Sequence, residues 1–152
     1  MEIQIAGDLQ LRPASRPNDA AFAWRVSEAC IKPYAEQTWG HWDRQANFEP
    51  ERDEIITSYG WDIGVMRVER LPDHWFLSKL YLLPPFQREG LGSRLLEELI
   101  ADARMVRQPL RLTVLQVNHP ARRFYERHGF EITDFTPPRF HMELGSPLTP
   151  HQ

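Results

Sequence analysis

Leu80-Tyr81-Leu82-Leu83-Pro84-Pro85-Phe86-Gln87-Arg88-Glu89-Gly90-Leu91-Gly92-Ser93 is the stretch whose reading decides the fold. β-favouring apolar residues run to Leu83, two prolines stop the strand, and two glycines open the next element. From Gly90 to about Val106 the apolar period changes to that of a helix, with Leu95, Leu96, Leu99, Ile100 and Ala103 on one face. Amide N–H groups at a helix start have no partner within the helix, and the dipole there is positive. Glycine lets the backbone come close to an anion. The run Gln87, Arg88, Glu89, Gly90, Leu91, Gly92 and Ser93 therefore reads as a cradle for a pyrophosphate, with Arg88 adding charge. Alone, such a glycine-marked turn arises by accident in roughly one chain in seven of this length.

On the C-terminal side, Gln108-Pro109 stops the helix and Leu110 to Val117 is a strand. Asn118 sits where an N-cap belongs, Pro120 suits a first turn, and Ala121, Phe124, Tyr125 and His128 line one face. Gly129 is the expected residue just past that helix, and Phe130–Phe135 and Arg139–Leu144 are two last strands. On the N-terminal side, His74 to Leu83 is the longest of three antiparallel strands, after Ile55–Tyr59 and Ile63–Val68. Gly60-Trp61-Asp62 and Leu71-Pro72-Asp73 are their turns. Before them lie a strand at 9–14 and a helix from about 19 to 31, capped by Asn18 or Asp19. Pro33 breaks the pattern, and a second helix runs from about 34 to 47. The order β-α-α-β-β-β-α-β-α-β-β predicts an α/β (α+β) fold: a mixed, mostly antiparallel central sheet flanked by helices.

The 152 residues suit one domain over 1–145, with 146–152 a flexible tail. The net charge of −3 and the lack of a basic block set nucleic acid aside as a partner. No apolar run approaches the ~20 residues of a membrane span, and the start of the chain does not read as a signal peptide. One cysteine, Cys30, permits no internal disulfide, so the expected location is cytoplasmic. No metal is expected.

Asn118-His119-Pro120-Ala121-Arg122-Arg123-Phe124-Tyr125-Glu126-Arg127-His128-Gly129-Phe130 comes about 25 residues after the glycine loop. Here the chain resembles the GNAT superfamily of N-acetyltransferases. Gln87, Gly90 and Gly92 resemble its acetyl-CoA motif; Asn118, Ala121, Phe124, Tyr125 and Gly129-Phe130 resemble a later one. The resemblance spans about residues 54–144. It implies acetyl-CoA as the acetyl donor and an amine as the acceptor. Backbone groups of Leu82 and Leu83 would pair with the pantetheine arm, and the amides from Gln87 through Ser93 would hold the pyrophosphate. Asn118 and Tyr125 would reach the thioester end, and Arg127 or Arg122 the outer phosphate of the nucleotide. A bulge in the strand before the loop would splay it from its neighbour. Monomer and homodimer both remain open.

The chemistry asks for three aids. A lysine-like amine is mostly protonated at pH 7, at a cost of about 4–5 kcal/mol, so a base or a water relay must help. The oxyanion needs a donor, for which an amide near Leu82 is the candidate. The departing thiolate needs a proton, and Tyr125 stands where the family places that acid. No Glu lies between Arg70 and Leu83; the strand carries Ser78 and Lys79 instead. Glu69, Asp73, His74, His41 and Asp43 are weaker base candidates. Tyr34, Trp39, Trp42 and Asp43, beside Glu36, would suit a cationic amine through cation–π contact and ion pairing. The same aromatics would equally serve to pack the helices on the sheet. His119 and His128 read as surface or cap residues, and Cys30 as a buried helix residue. A second reading is a non-catalytic acetyl-CoA-binding module.

Overall fold

In the computed structural model, which describes residues 4–6, 8–43 and 48–145, eight strands form one sheet with four helices on its faces. The strands are β1 (Gln4–Ala6), β2 (Leu9–Pro13), β3 (Glu54–Ser58), β4 (Trp61–Arg70), β5 (Trp75–Leu82), β6 (Leu110–Leu115), β7 (Glu131–Thr136) and β8 (Arg139–Leu144). The helices are α1 (Asp19–Cys30), α2 (Lys32–Trp39), α3 (Leu91–Met105) and α4 (His119–Arg127). The sheet order is β1-β2-β3-β4-β5-β6-β8-β7, and only the β5–β6 pair is parallel. The predicted mixed, mostly antiparallel sheet is the observed one.

The departures from the sequence reading are local. β1 is an addition; its three residues are too few for an alternation to register. Trp61 belongs to β4, not to a turn, because the β3–β4 hairpin closes through Tyr59 and Gly60, both at positive φ. β4, not β5, is then the longest of the three strands. α2 begins at Lys32, since Pro33 is tolerated in a first turn, and it ends at Trp39, where Gly40 takes φ 79°. Residues 44–47 and 146–152 of the expected helix and tail lie outside the described residues. Asn18 makes no side-chain cap; the Asp19 carboxylate accepts the Arg16 N–H at 2.9 Å instead.

Alternation sorts the sheet residues onto two faces. Leu9, Leu11, Ile56, Met66, Leu77, Leu82, Leu112 and Met142 pack with Leu95, Leu96, Leu99 and Ile100 of α3. Ile55 and Val65 pack on the other face with Phe22, Ala23 and Val26 of α1, with Tyr81 against them. One ion cluster ties the second layer down. Arg12 of β2 grips Asp19 of α1 with two nitrogens, at 2.8 and 2.9 Å, and also Asp62 of β4 at 3.0 Å.

Candidate functional site

Opposite the β4 register, β5 carries one extra residue. Arg67 faces Lys79 and Val68 faces Leu77, so Ser78 is a bulge. A bulge inverts the alternation: Leu77 turns into the α3 core while Lys79 and Tyr81 face the α1 side. β5 and β6 pair at only two positions, Trp75 with Leu110 and Phe76 with Arg111, and have no paired residues beyond the bulge. The splay that the resemblance implied is present.

The gap exposes backbone groups of β5. The Leu83 N–H donates to the Ile63 carbonyl at 2.9 Å, so in this antiparallel pair the odd-numbered residues bond toward β4. Leu80 and Leu82 turn their amides toward the gap. The Leu82 carbonyl is held by two donors from the protein, Gln87 Nε2 at 2.8 Å and Cys30 Sγ at 3.1 Å. Leu83 is committed on both sides, because its carbonyl accepts the Phe86 N–H at 2.9 Å. Of the two residues expected to pair with a pantetheine arm, only Leu82 has an amide left to do it.

At the mouth of the gap, Pro84–Phe86 make one 3-10 turn and the chain enters α3 through Arg88 (φ 64°) and Gly90 (φ 79°). No side chain caps this helix start, so the first-turn amides of Leu91, Gly92 and Ser93 have no intrahelical acceptor. A Cβ on Gly92 would stand 3.6 Å from the Phe124 ring and 3.8 Å from Leu82, inside the opening.

A cavity of about 1070 Å³ runs from this loop through the gap to the space under α2. Leu82, Gln87, Arg88, Gly90, Gly92 and Ser93 line one part of it, and Asn118, Ala121, Phe124, Tyr125 and Arg127 another. Tyr34, Trp39, Trp42 and Asp43 line its far end. Leu83, Glu89 and Leu91 are absent from the lining: Glu89 points to solvent and Leu91 is core. Arg122 is outside as well, stacked over Phe140 at 5.4 Å, which leaves Arg127 as the guanidinium on the cavity side. Asn118 caps α4, its Oδ1 accepting the Ala121 N–H at 3.2 Å. His119 is exposed, and His128 donates from Nδ1 to the Phe124 carbonyl at 2.9 Å, as expected of surface and cap residues.

Tyr125 stands between Phe124 and Phe130, with ring centroids 5.2 and 5.6 Å away, and burial holds its phenol pKa above the ordinary value. Burial also raises Tyr81, and the neighbouring Tyr125 adds to the effect. Burial pushes the Cys30 thiol up to about 11, so it is a neutral wall residue.

Under α2 the lining carries the expected aromatics and Asp43, together with cations that the sequence reading did not include. Glu36 is exposed and outside the cavity. Trp39 already has Arg139 over one face at 5.2 Å, and Trp42 has Lys32 at 5.9 Å. The floor is Arg67 and Lys79, both bonded to the fully buried Asp53 carboxylate. Sequence reasoning missed Arg67, Tyr81 and Arg139. Tyr81 and Lys79 were legible as same-face neighbours, but the bulge that aims them and the strand that brings Arg67 opposite were not.

A sheet opened beside its parallel strand pair, with an uncapped glycine-marked helix start at the mouth, defines the acyltransferase class of α/β proteins. Residues 51–132 match the family model described as an acetyltransferase (GNAT) domain, and the chain belongs to that family. No curated protein sequence matches the chain. Among solved structures it resembles the PaiA N-acetyltransferase of Thermoplasma acidophilum in complex with coenzyme A, at 18% identity and TM-score 0.72, covering 90% of this chain and 98% of that one. It also resembles the ribosomal-protein-S18-alanine N-acetyltransferase of Escherichia coli, at 21% identity and TM-score 0.68, covering 93% and 96%. A GNAT family acetyltransferase of Elizabethkingia anophelis with acetyl-CoA bound aligns at 13% identity and TM-score 0.63, covering 92% and 99%.

Proposed function

We propose that the protein is an acetyl-CoA-dependent N-acetyltransferase acting on a primary amine. The observation that carries this reading is the continuous cavity joining an uncapped helix start, a splayed strand pair and the groove under α2. Structures of similar fold hold coenzyme A or acetyl-CoA. The residues fit such a donor, since the α3 amides lack partners within the helix and Gly90 and Gly92 keep the opening clear of side chains. When bound, acetyl-CoA supplies an activated acetyl thioester.

The amides of Leu91, Gly92 and Ser93 hold the pyrophosphate, with Arg88 and Arg127 adding charge. The Leu82 N–H pairs with the pantetheine arm or serves as the donor for the carbonyl oxygen that gains negative charge. Tyr125 holds a proton on its Oη at every working pH. A phenol above ~10 gives its proton to a thiolate of pKa ~8.5 only uphill, by about 2 kcal/mol or more. Tyr125 therefore acts chiefly as a hydrogen-bond donor at the sulfur, while the attacking amine loses the proton that balances the reaction. β5 carries no carboxylate, which leaves His41 and Asp43 of the cavity lining, or a water held by backbone groups, to accept the proton.

The test is calorimetric titration with acetyl-CoA, with Gly90→Glu as control, followed by thiol release across an amine panel. Micromolar binding lost in the variant and turnover with an amine support the reading. Binding without any turnover favours the alternative, a non-catalytic acetyl-CoA-binding module, and a folded protein that binds nothing removes both.

A further inference from the structure

The groove under α2 is richer in cations than a site for a bare or polycationic amine. Its floor places Arg67 and Lys79 side by side over one carboxylate, Asp53. Asp53 is saturated from behind: Arg67 Nε at 2.7 Å, Arg67 Nη2 at 3.0 Å, Lys79 Nζ at 3.2 Å and the Glu49 N–H at 2.9 Å. Both cations bond to this one carboxylate. Arg67 commits Nε and Nη2 to that pair, and no bond to its Nη1 is found among the described residues. Burial lowers the Lys79 pKa, opposed by the attraction of Asp53 and aided by the repulsion of Arg67. Glu49, the other carboxylate close to Lys79, is held by Arg52 at 2.7 Å and does not line the groove. The cavity lining also includes Arg139, exposed, stacked on Trp39 and without an ion pair among the described residues. Asp43 is the one acidic side chain of the lining among the described residues.

We propose that the acceptor is a small amine bearing a carboxylate, an amino acid in the broad sense, whose carboxylate is received between the Arg67–Lys79 floor and Arg139. This rests on the acetyltransferase reading above. A planar guanidinium offers a fork of donors to a carboxylate, and a lining that carries Arg67, Lys79 and Arg139 favours an anion over a further cation. The same field disfavours an ammonium group near the floor and helps its amine lose a proton. Trp39 and Tyr34 cover the remaining apolar part of a side chain.

The experiment compares thiol release for a panel of amino acids with their carboxamides and decarboxylated amines, plus spermidine, in the wild type and in Arg139→Gln and Arg67→Lys. Acetyl-CoA binding is measured calorimetrically in the same samples. The expected result is a kcat/KM at least about tenfold higher for some carboxylate-bearing amine than for its carboxamide, a ratio that shrinks about tenfold in Arg139→Gln through KM. Arg139 is exposed, so its replacement leaves the fold intact even where Arg67→Lys loosens the floor. Equal or better use of carboxamides or spermidine overturns the inference and leaves the acetyltransferase reading standing. So does a protein that binds acetyl-CoA yet neither turns over nor binds, in its CoA-loaded form, any carboxylate-bearing amine. Failure to bind acetyl-CoA overturns both.

Discussion

The Tyr81 carbonyl oxygen lies 2.1 Å from where a Cβ on residue 64 would stand, so β4 passes β5 at this point only because position 64 is glycine. The approach falls next to the β4 irregularity at Ile63 and opposite Leu82, where the strand edge faces the gap. The obstructing atom is backbone, so it cannot rotate away. Gly64→Ala is expected to cost more than about 2 kcal/mol, read as a lower urea midpoint at unchanged slope. It should also weaken acetyl-CoA binding, because β5 must move to make room.

Gly92 presents the opposite case. A Cβ there meets Phe124 and Leu82 at ordinary contact distance. Gly92→Ala should leave the melting temperature within a few degrees of wild type, since helices favour alanine over glycine by up to ~1 kcal/mol. Binding of acetyl-CoA should weaken by about tenfold or more, as the methyl group occupies the cradle. Unchanged affinity by calorimetry would put the pyrophosphate elsewhere.

Tyr125→Phe keeps the ring contacts with Phe124 and Phe130 and deletes only the hydroxyl. Turnover is expected to fall about 10²-fold with acetyl-CoA affinity and melting temperature nearly unchanged. Because burial raises this phenol, the wild-type rate should show no alkaline loss from Tyr125 up to about pH 10, the ordinary phenol value. A falling limb below that value that vanishes in the variant would contradict the assignment.

Asp19 is expected to contribute to stability in acid. Its hydrogen bonds with Arg12, opposed by burial, hold its pKa below the ordinary carboxylate range. The unfolded chain therefore binds more protons than the folded one between the two values, and stability rises with pH there. The contribution is complete above the unfolded value of ~3.9 and is lost as pH falls through the folded one. Asp19→Asn should flatten the dependence of the urea midpoint on pH below about 5. At neutral pH it should cost about 3 kcal/mol, at the low end for a broken buried pair because Asp62 still holds Arg12.

The sequence by itself determined the element order from β2 onward, the glycine-marked entry to α3, the Asn118 cap and the apolar stripes that put α3 and α4 on the sheet. These depend on contacts within a few residues, where spacing and residue type suffice. The glycine loop before α3 and the apolar face of α4 were legible for the same reason. Only the tertiary structure decided that Ser78 bulges, that β5 and β6 part after two pairs, and that Leu83 is spent while Leu82 is not, because those are facts about partners distant in the chain. It also decided the charge of the groove under α2. Glu36 and Asp43 looked like the groove's charge from their nearness in sequence to Trp39, yet Arg67, Lys79 and Arg139, drawn from three different strands, set its sign.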